Sequence, residues 1–308
     1  MPFKLANVEG RAALVDGDSY YDLESLSAGK LGSDPMAALH DLPALSALSA
    51  TLGSTTPTGA LSDVELGPPT PLPPSCFAVG LNYRNHAEES KLDIPATPMV
   101  FTKYSSCLVG PTADIKVSSD YVDYEAELVA VIGKGGRNIA KEDAWDHIAG
   151  LCIGQDISDR GTQTLGFPPQ FNMGKSFDTF GPMGPYLVSL DSLDHKEALV
   201  LECKINDEVR QKDNTGDLIF DIPALVAYLS ELCTLRIGDV IWTGTPGGVG
   251  LPDSNYLKDG DVVTTTIEGL GTMTNRCVRI ADHSNAQLLA PKFKEVLDAA
   301  EKRKEASA

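Results

Sequence analysis

The sequence predicts a mixed, β-rich α+β protein: a small first unit followed by a larger one of barrel or sandwich type. Short strand-like runs outnumber helical ones along the chain. The 28 Gly and 20 Pro of its 308 residues keep those runs short. A proline-rich run, GPPTPLPP at 67–74, separates the two units as a stiff extended connector. A chain of this length buries a core without needing a metal or a disulfide to fold.

The elements follow in order. Residues 1–66 form the small unit. Runs 5–15 and 19–23 read as strands around the Asp16-Gly17 turn signal. Residues 35–52 read as a helix, with Leu39, Leu42, Leu45 and Leu48 near helical spacing, although Pro43 opposes it. Residues 67–75 are the linker, and 76–308 the larger unit. There, runs 76–79, 99–102, 127–132, 199–205, 240–243 and 262–267 read as strands. Residues 141–148 and 223–232 read as helices. The second has Asp221 near its N-cap, Pro223 in its first turn, and Leu225, Leu229 and Leu232 along one face. A last helix is expected over 286–304.

Charge and cysteine content narrow the function. Lys plus Arg number 25 against 43 Asp plus Glu, a net charge of −18. Such a field opposes nucleic acid and anionic membrane surfaces as partners. The six cysteines form no CxxC and mostly sit in apolar runs, as reduced buried thiols do. Neither a secretory leader nor an uninterrupted apolar span is visible, so a cytoplasmic protein is expected.

Three groups of residues carry chemistry. In DYEAELVAVIG (123–133), Glu125 and Glu127 share a strand face. Taken alone the pair also fits a solvated strand edge. Asp156, closing the apolar run 148–155, can join them. Three carboxylates together would suit Mg²⁺, Mn²⁺ or Ca²⁺ rather than Zn²⁺. In GLNYRNHAEE (80–89), His86 and Glu89 are neighbours if the segment is helical, a possible general-base pair or a mere surface pair. The Gly-rich run 244–250 follows an apolar strand and could offer backbone N–H groups and the Thr245 hydroxyl to an anion. Lys175 lies in Gly174-Lys175-Ser176, which is no P-loop, because Pro169 stands where the first glycine is required.

Taken with GQDISDRGTQ (154–163), MGKSFDTFGPMGP (173–185) and LRIGDVIWTGTPGGVG (235–250), these segments resemble the fumarylacetoacetate hydrolase superfamily. The likeness runs from about residue 77 to 280, in motif order, and resembles the acylpyruvate hydrolase-like branch with a small N-terminal domain. It implies a β-roll catalytic domain and commonly a homodimer. By position it implies Glu125, Glu127 and Asp156 as ligands of Mg²⁺, with Mn²⁺ or Ca²⁺ as alternatives. It implies His86 and Glu89 as the base dyad, Lys175 as a catalytic cation, and Arg160, Gln163, Thr245 and Tyr83 as substrate contacts. Asp159 and Gly161 depart from residues frequent in relatives, which bears on substrate more than on reaction.

The expected activity is metal-dependent hydrolysis of a carbon–carbon bond in a β-diketo acid of acylpyruvate type. The products would be pyruvate, or a related 2-oxo acid, and a carboxylic acid. The alternatives are decarboxylation of oxaloacetate, or hydration, dehydration or isomerisation of a 2-oxo acid or sugar-acid derivative. The apolar stretch 165–173 holds no Lys or Arg, so an uncharged distal acyl group is expected if that stretch lines the pocket.

Overall fold

The computed structural model describes residues 2–164 and 169–280, together with Glu295. The chain opens with an antiparallel meander, β1 (Lys4–Val8), β2 (Arg11–Asp16) and β3 (Ser19–Asp22). The expected strand over 5–15 is thus two strands. Glu9 and Gly10 both take positive φ, 51° and 87°, and fold them into a two-residue hairpin. The expected helix over 35–52 is also two, Pro35–Ala38 and Leu42–Ser49. Asp41 caps the second by accepting the Ala44 N–H at 3.0 Å. Pro43 therefore sits in a first turn, where its missing N–H costs nothing.

The larger part holds β4 (Cys76–Gly80), β5 (Met99–Thr102), β6 (Ala126–Ile132), β7 (Ile148–Gln155), β8 (Gly181–Val188), β9 (Val200–Ile205), β10 (Glu208–Asn214), β11 (Val240–Trp242), β12 (Val262–Ile267) and β13 (Gly271–Arg279). One sheet runs β3-β2-β1-β8-β7-β6-β11-β4-β5; only β11 and β4 pair in parallel along it. A second sheet runs β10-β9-β12-β13, with the short strand Ile115–Val117 paired in parallel beyond β13. The proline-rich connector packs on the protein. Leu66 and Gly67 pair with β1, and Thr70 is fully buried with its hydroxyl on Met183 Sδ.

Two further helices are α1 (Arg84–Ser90), which carries site residues, and α2 (Ile222–Leu232). Asp221 caps α2 through the Ala224 N–H at 2.8 Å. Leu225 and Leu229 face the core as expected, but Leu232 is 62% exposed. The expected helix over 141–148 is a 3-10 segment, Lys141–His147. The expected helix over 286–304 lies outside the described residues, Glu295 excepted. No helix among the described residues is long and apolar enough to cross a membrane. All six cysteines are free, and five are buried.

Every residue of β6 is buried, because it lies mid-sheet with packing on both faces. Gly154 on β7 stands opposite Glu127. A Cβ there would lie 2.3 Å from Trp242 Cζ3 and 2.7 Å from Val129 Cγ2. Gly154→Ala is therefore expected to lower stability by about 1–3 kcal/mol, as overpacking does, read as a lower midpoint in urea unfolding.

Candidate active site

The antiparallel pairing of β6 with β7 brings two chain-distant acidic segments together. Ala126 pairs with Gln155. Glu125, just before β6, therefore adjoins Asp156, just after β7, and the Asp156 N–H donates to the Glu125 carbonyl at 2.8 Å. Carboxylate oxygens of Glu125, Glu127 and Asp156 all lie within 4.8 Å of one another, and all three residues are buried. Such a set is unstable without positive charge.

Three buried cations answer it in part. Lys175 Nζ lies 2.6 Å from Glu125 Oε2 and 2.8 Å from Asp156 Oδ2, and donates to Ser158 Oγ at 2.7 Å. Lys103 Nζ lies 2.6 Å from Asp156 Oδ1 and also donates to the carbonyls of Lys175 and Phe180. Arg160 Nη2 holds Glu125 Oε1 at 2.7 Å and Asp123 Oδ2 at 2.7 Å. Burial alone would raise the Glu125 carboxyl, but Lys175 and Arg160 overrule it and hold the group down to about 2. No cation among the described residues forms an ion pair with Glu127; burial, then Asp156 and Glu125, pushes it well above the usual carboxylate range against the opposing charge of Lys175.

This donor set fits a hard divalent cation. It is all oxygen, it is already clustered, and one of its carboxylates has no positive partner. The local balance is four carboxylates, Asp123 included, against three cations. A divalent ion would turn the site net positive and ready for an anionic substrate.

His86 and Glu89 lie on α1 as expected, i and i+3. His86 Nδ1 is 3.5 Å from Glu89 Oε2, an ion-pair distance without a hydrogen bond. Glu89 is fixed from the other side: the Gly248 N–H donates to both its oxygens, at 3.2 and 3.1 Å. The Gly-rich loop after β11 does bind anions, but they are the protein's own. The N–H groups of Gly244 and Gly250 donate to Glu127 and Asp123, at 2.9 and 2.7 Å. The Gly247 N–H donates to Asn85 Oδ1 at 3.1 Å. Gly248 has φ +95°, and a Cβ there would lie 2.0 Å from the Arg210 carbonyl oxygen.

His86, Glu125, Arg160, Gln163, Lys175 and Thr245 line one cavity of about 180 Å³. Its remaining wall is apolar apart from Ser90, with Val79, Leu81, Phe101, Phe171 and Val249 among the residues. The structure thus gathers most of the expected catalytic and substrate-contact residues, with three qualifications. Glu89 stands beside His86 but is not part of the cavity wall. Tyr83 is wholly buried and is not part of the cavity wall. It precedes α1, and its ring packs inward. Thr245 reaches the wall, but its hydroxyl is committed, donating to the Ala126 carbonyl at 2.9 Å and accepting from Gln211 at 2.8 Å. Of the apolar stretch 165–173, residues 165–168 lie outside the described residues. Phe171 lines the cavity, whereas Met173 is 59% exposed.

Sequence reasoning passed over Lys103 and Asp123 as site residues. Lys103 directly follows the strand Met99–Thr102, which is only partly buried, and no local pattern marks it as an interior lysine. Asp123 was masked by its louder neighbours; it anchors Arg160 and takes two loop N–H groups. Asp159, a departure from the family pattern, is structural. It caps the turn Arg160–Gln163 through the Thr162 N–H at 2.8 Å and accepts the Ser118 hydroxyl.

Residues 75–278 match the family model for the fumarylacetoacetate (FAA) hydrolase C-terminal domain. The chain belongs to the fumarylacetoacetate hydrolase family. Within that family it is 45% identical over 226 residues to the oxaloacetate tautomerase YisK of Bacillus subtilis, covering 70% of this chain and 74% of that protein. It superposes on the maleylpyruvate hydrolase of Sphingobium sp. SYK-6, solved with manganese(II) and pyruvate, with TM-score 0.76 and 32% identity over 90% of this chain and 99% of that one. The 2-hydroxyhepta-2,4-diene-1,7-dioate isomerase of Mycobacterium marinum gives TM-score 0.70 and 30% identity, over 91% and 100% of the two chains. Fumarylacetoacetate hydrolase family members thus include hydrolases, isomerases and tautomerases on one fold, and the chain is an enzyme of that family.

Proposed function

We propose that the protein is a metal-dependent enzyme that enolises a 2-oxo acid, and that its reaction is keto–enol tautomerisation of oxaloacetate. The observation that carries this is the buried three-carboxylate cluster, which meets a cavity of about 180 Å³ through Glu125. The tautomerase relative, at 45% identity, supports it. Glu125, Glu127 and Asp156 would hold Mg²⁺ or Mn²⁺, and the bound cation would stabilise negative charge developing on the 2-oxygen.

The chain's own groups divide the remaining work. Glu89 beside His86 Nδ1 favours a proton on that nitrogen, leaving Nε2 as the base that takes a proton from C3 and returns it. Gln163 gives its oxygen to Arg160 Nη1 at 3.0 Å, so its amide N–H groups remain to hold a substrate carboxylate. Lys175 keeps Glu125 and Asp156 ionised and adds positive charge beside the enolate. The apolar wall excludes water, which strengthens each of these interactions.

The apolar wall also favours a second reading, hydrolysis of an acylpyruvate with an uncharged acyl group. There His86 would deprotonate water instead of C3. One assay separates them. Enol oxaloacetate absorbance is followed with and without Mg²⁺ or Mn²⁺, with pyruvate measured in parallel. Tautomerisation accelerates the absorbance loss and releases no pyruvate beyond the uncatalysed amount. Pyruvate release from oxaloacetate would instead show decarboxylation. Turnover of neutral acylpyruvates alone would replace the first reading with the second. The location in the cell proposed here is the cytoplasm, and the assembly a homodimer; sedimentation of the purified chain tests the latter.

A further inference from the structure

A buried glutamine bridges two segments of the site. Gln211 lies on β10, in the second sheet, and is 0% exposed. Its amide oxygen and both of its amide N–H groups bond to two segments of the site. Its Oε1 accepts the Ala126 N–H at 3.0 Å. Its Nε2 donates to Thr245 Oγ1 at 2.8 Å and to the Pro246 carbonyl at 2.9 Å. Thr245 Oγ1 then donates to the Ala126 carbonyl at 2.9 Å, closing a ring of three residues that holds the two peptide units flanking the Ala126 Cα.

Both ends of that ring carry the site. Ala126 sits between Glu125 and Glu127, so fixing its N–H and its carbonyl fixes the segment that presents both carboxylates. Thr245 and Pro246 belong to the loop whose N–H groups position Glu127, Asn85 and Glu89. From the same face of β10, two residues on, Asp213 accepts a hydrogen bond from Asn85 of α1. A matching amide serves the neighbouring peptide: Gln155 accepts the Glu125 N–H at 3.0 Å and donates to Thr265 Oγ1 at 2.7 Å.

We propose that Gln211 is a positioning residue, locking the Gly-rich loop 244–248 to the segment that presents Glu125 and Glu127. Its effect on metal binding rests on the metal reading above; the lock itself does not. A glutamine suits the task because it offers one acceptor and two donors in a plane, and all three are used. Partners that orient ligating carboxylates typically matter by about 10–100-fold in metal affinity.

The test uses the full-length chain and two readouts. Gln211→Glu keeps the shape and the acceptor for Ala126 but loses the donor pair for Thr245 and Pro246. Thr245→Val removes the hydroxyl from the other side of the ring, and Thr245→Ser restores it. In metal-free protein, amide hydrogen exchange at Ala126 and Gly244 should quicken by about tenfold or more in Gln211→Glu and Thr245→Val, as when a local lock is lost. It should stay at the parent rate in Thr245→Ser. Calorimetric titration with Mn²⁺ should show affinity lowered by about 10–100-fold in the first two variants and retained in the third.

Parent-like exchange in folded Gln211→Glu overturns the proposal. Should that variant fail to fold, the threonine pair decides: equal behaviour of Thr245→Val and Thr245→Ser overturns it. A parent chain that takes up no Mn²⁺ would sink the metal reading alone, while the exchange data still judge the lock.

Discussion

Glu127→Gln is expected to abolish metal-dependent turnover while making the metal-free protein more stable. Glu127 is the one acid of the cluster with no cationic partner, and Asp156 and Glu125 both repel it. The amide keeps the shape and can still accept the Gly244 N–H, which the carboxylate takes at 2.9 Å. To fold without metal, Glu127 must either bury an unpaired charge or take up a proton, and the amide does neither, so the substitution should stabilise by on the order of 1 kcal/mol or more. At this chain length that corresponds to about 2–4 °C per kcal/mol. Scanning calorimetry with and without Mn²⁺ measures both halves. The parent should gain stability on adding the ion, by mass action, and the variant should not. A variant that still binds Mn²⁺ and turns over normally would remove Glu127 from the site.

His86→Ala should lower kcat by about 10²–10⁴-fold, the usual loss when a general base is removed, with Mn²⁺ affinity unchanged. His86 lines the cavity near Glu125 but is not one of the three clustered carboxylates, so its loss removes no acid from the cluster. Glu89→Gln should act in the same direction and less strongly. Glu89 stands 3.5 Å from His86 Nδ1 and orients the ring rather than reacting. Measuring kcat and Mn²⁺ affinity for both variants separates a proton-transfer role from a structural one. Equal turnover by His86→Ala and parent on oxaloacetate would leave the enolisation without its base.

The acids were legible because a strand's two-residue period puts Glu125 and Glu127 together in any fold where that segment is extended. What brings Asp156 to them is a register, Ala126 against Gln155, which no local pattern encodes. The glutamines escaped notice for a related reason. Gln211 sits in EVRQKDN, a run that reads as exposed and polar, and only the packing of the second sheet shows it to be buried. β8 escaped notice because GPMGPYLV carries the punctuation of a turn. Pro43 was read as opposing a helix when it begins one, a distinction resting on the Asp41 cap next to it.

Thr245 shows the limit of carrying a role across by position. Its hydroxyl does reach the cavity wall, yet both of its bonds go to the protein. A threonine that looks like a substrate contact in one dimension is a strut in three.

The pairing of β1 with β8, Lys4 against Val188 and Leu5 against Leu187, has a practical consequence. The first sixty-six residues cannot be trimmed away as a removable appendage. Cutting after the proline-rich connector would strip β8 of its neighbour and leave unpaired N–H and C=O groups along an apolar strand. Strand edges of that kind recruit further chains, so a truncated protein should precipitate or form β-rich aggregates rather than yield a minimal enzyme.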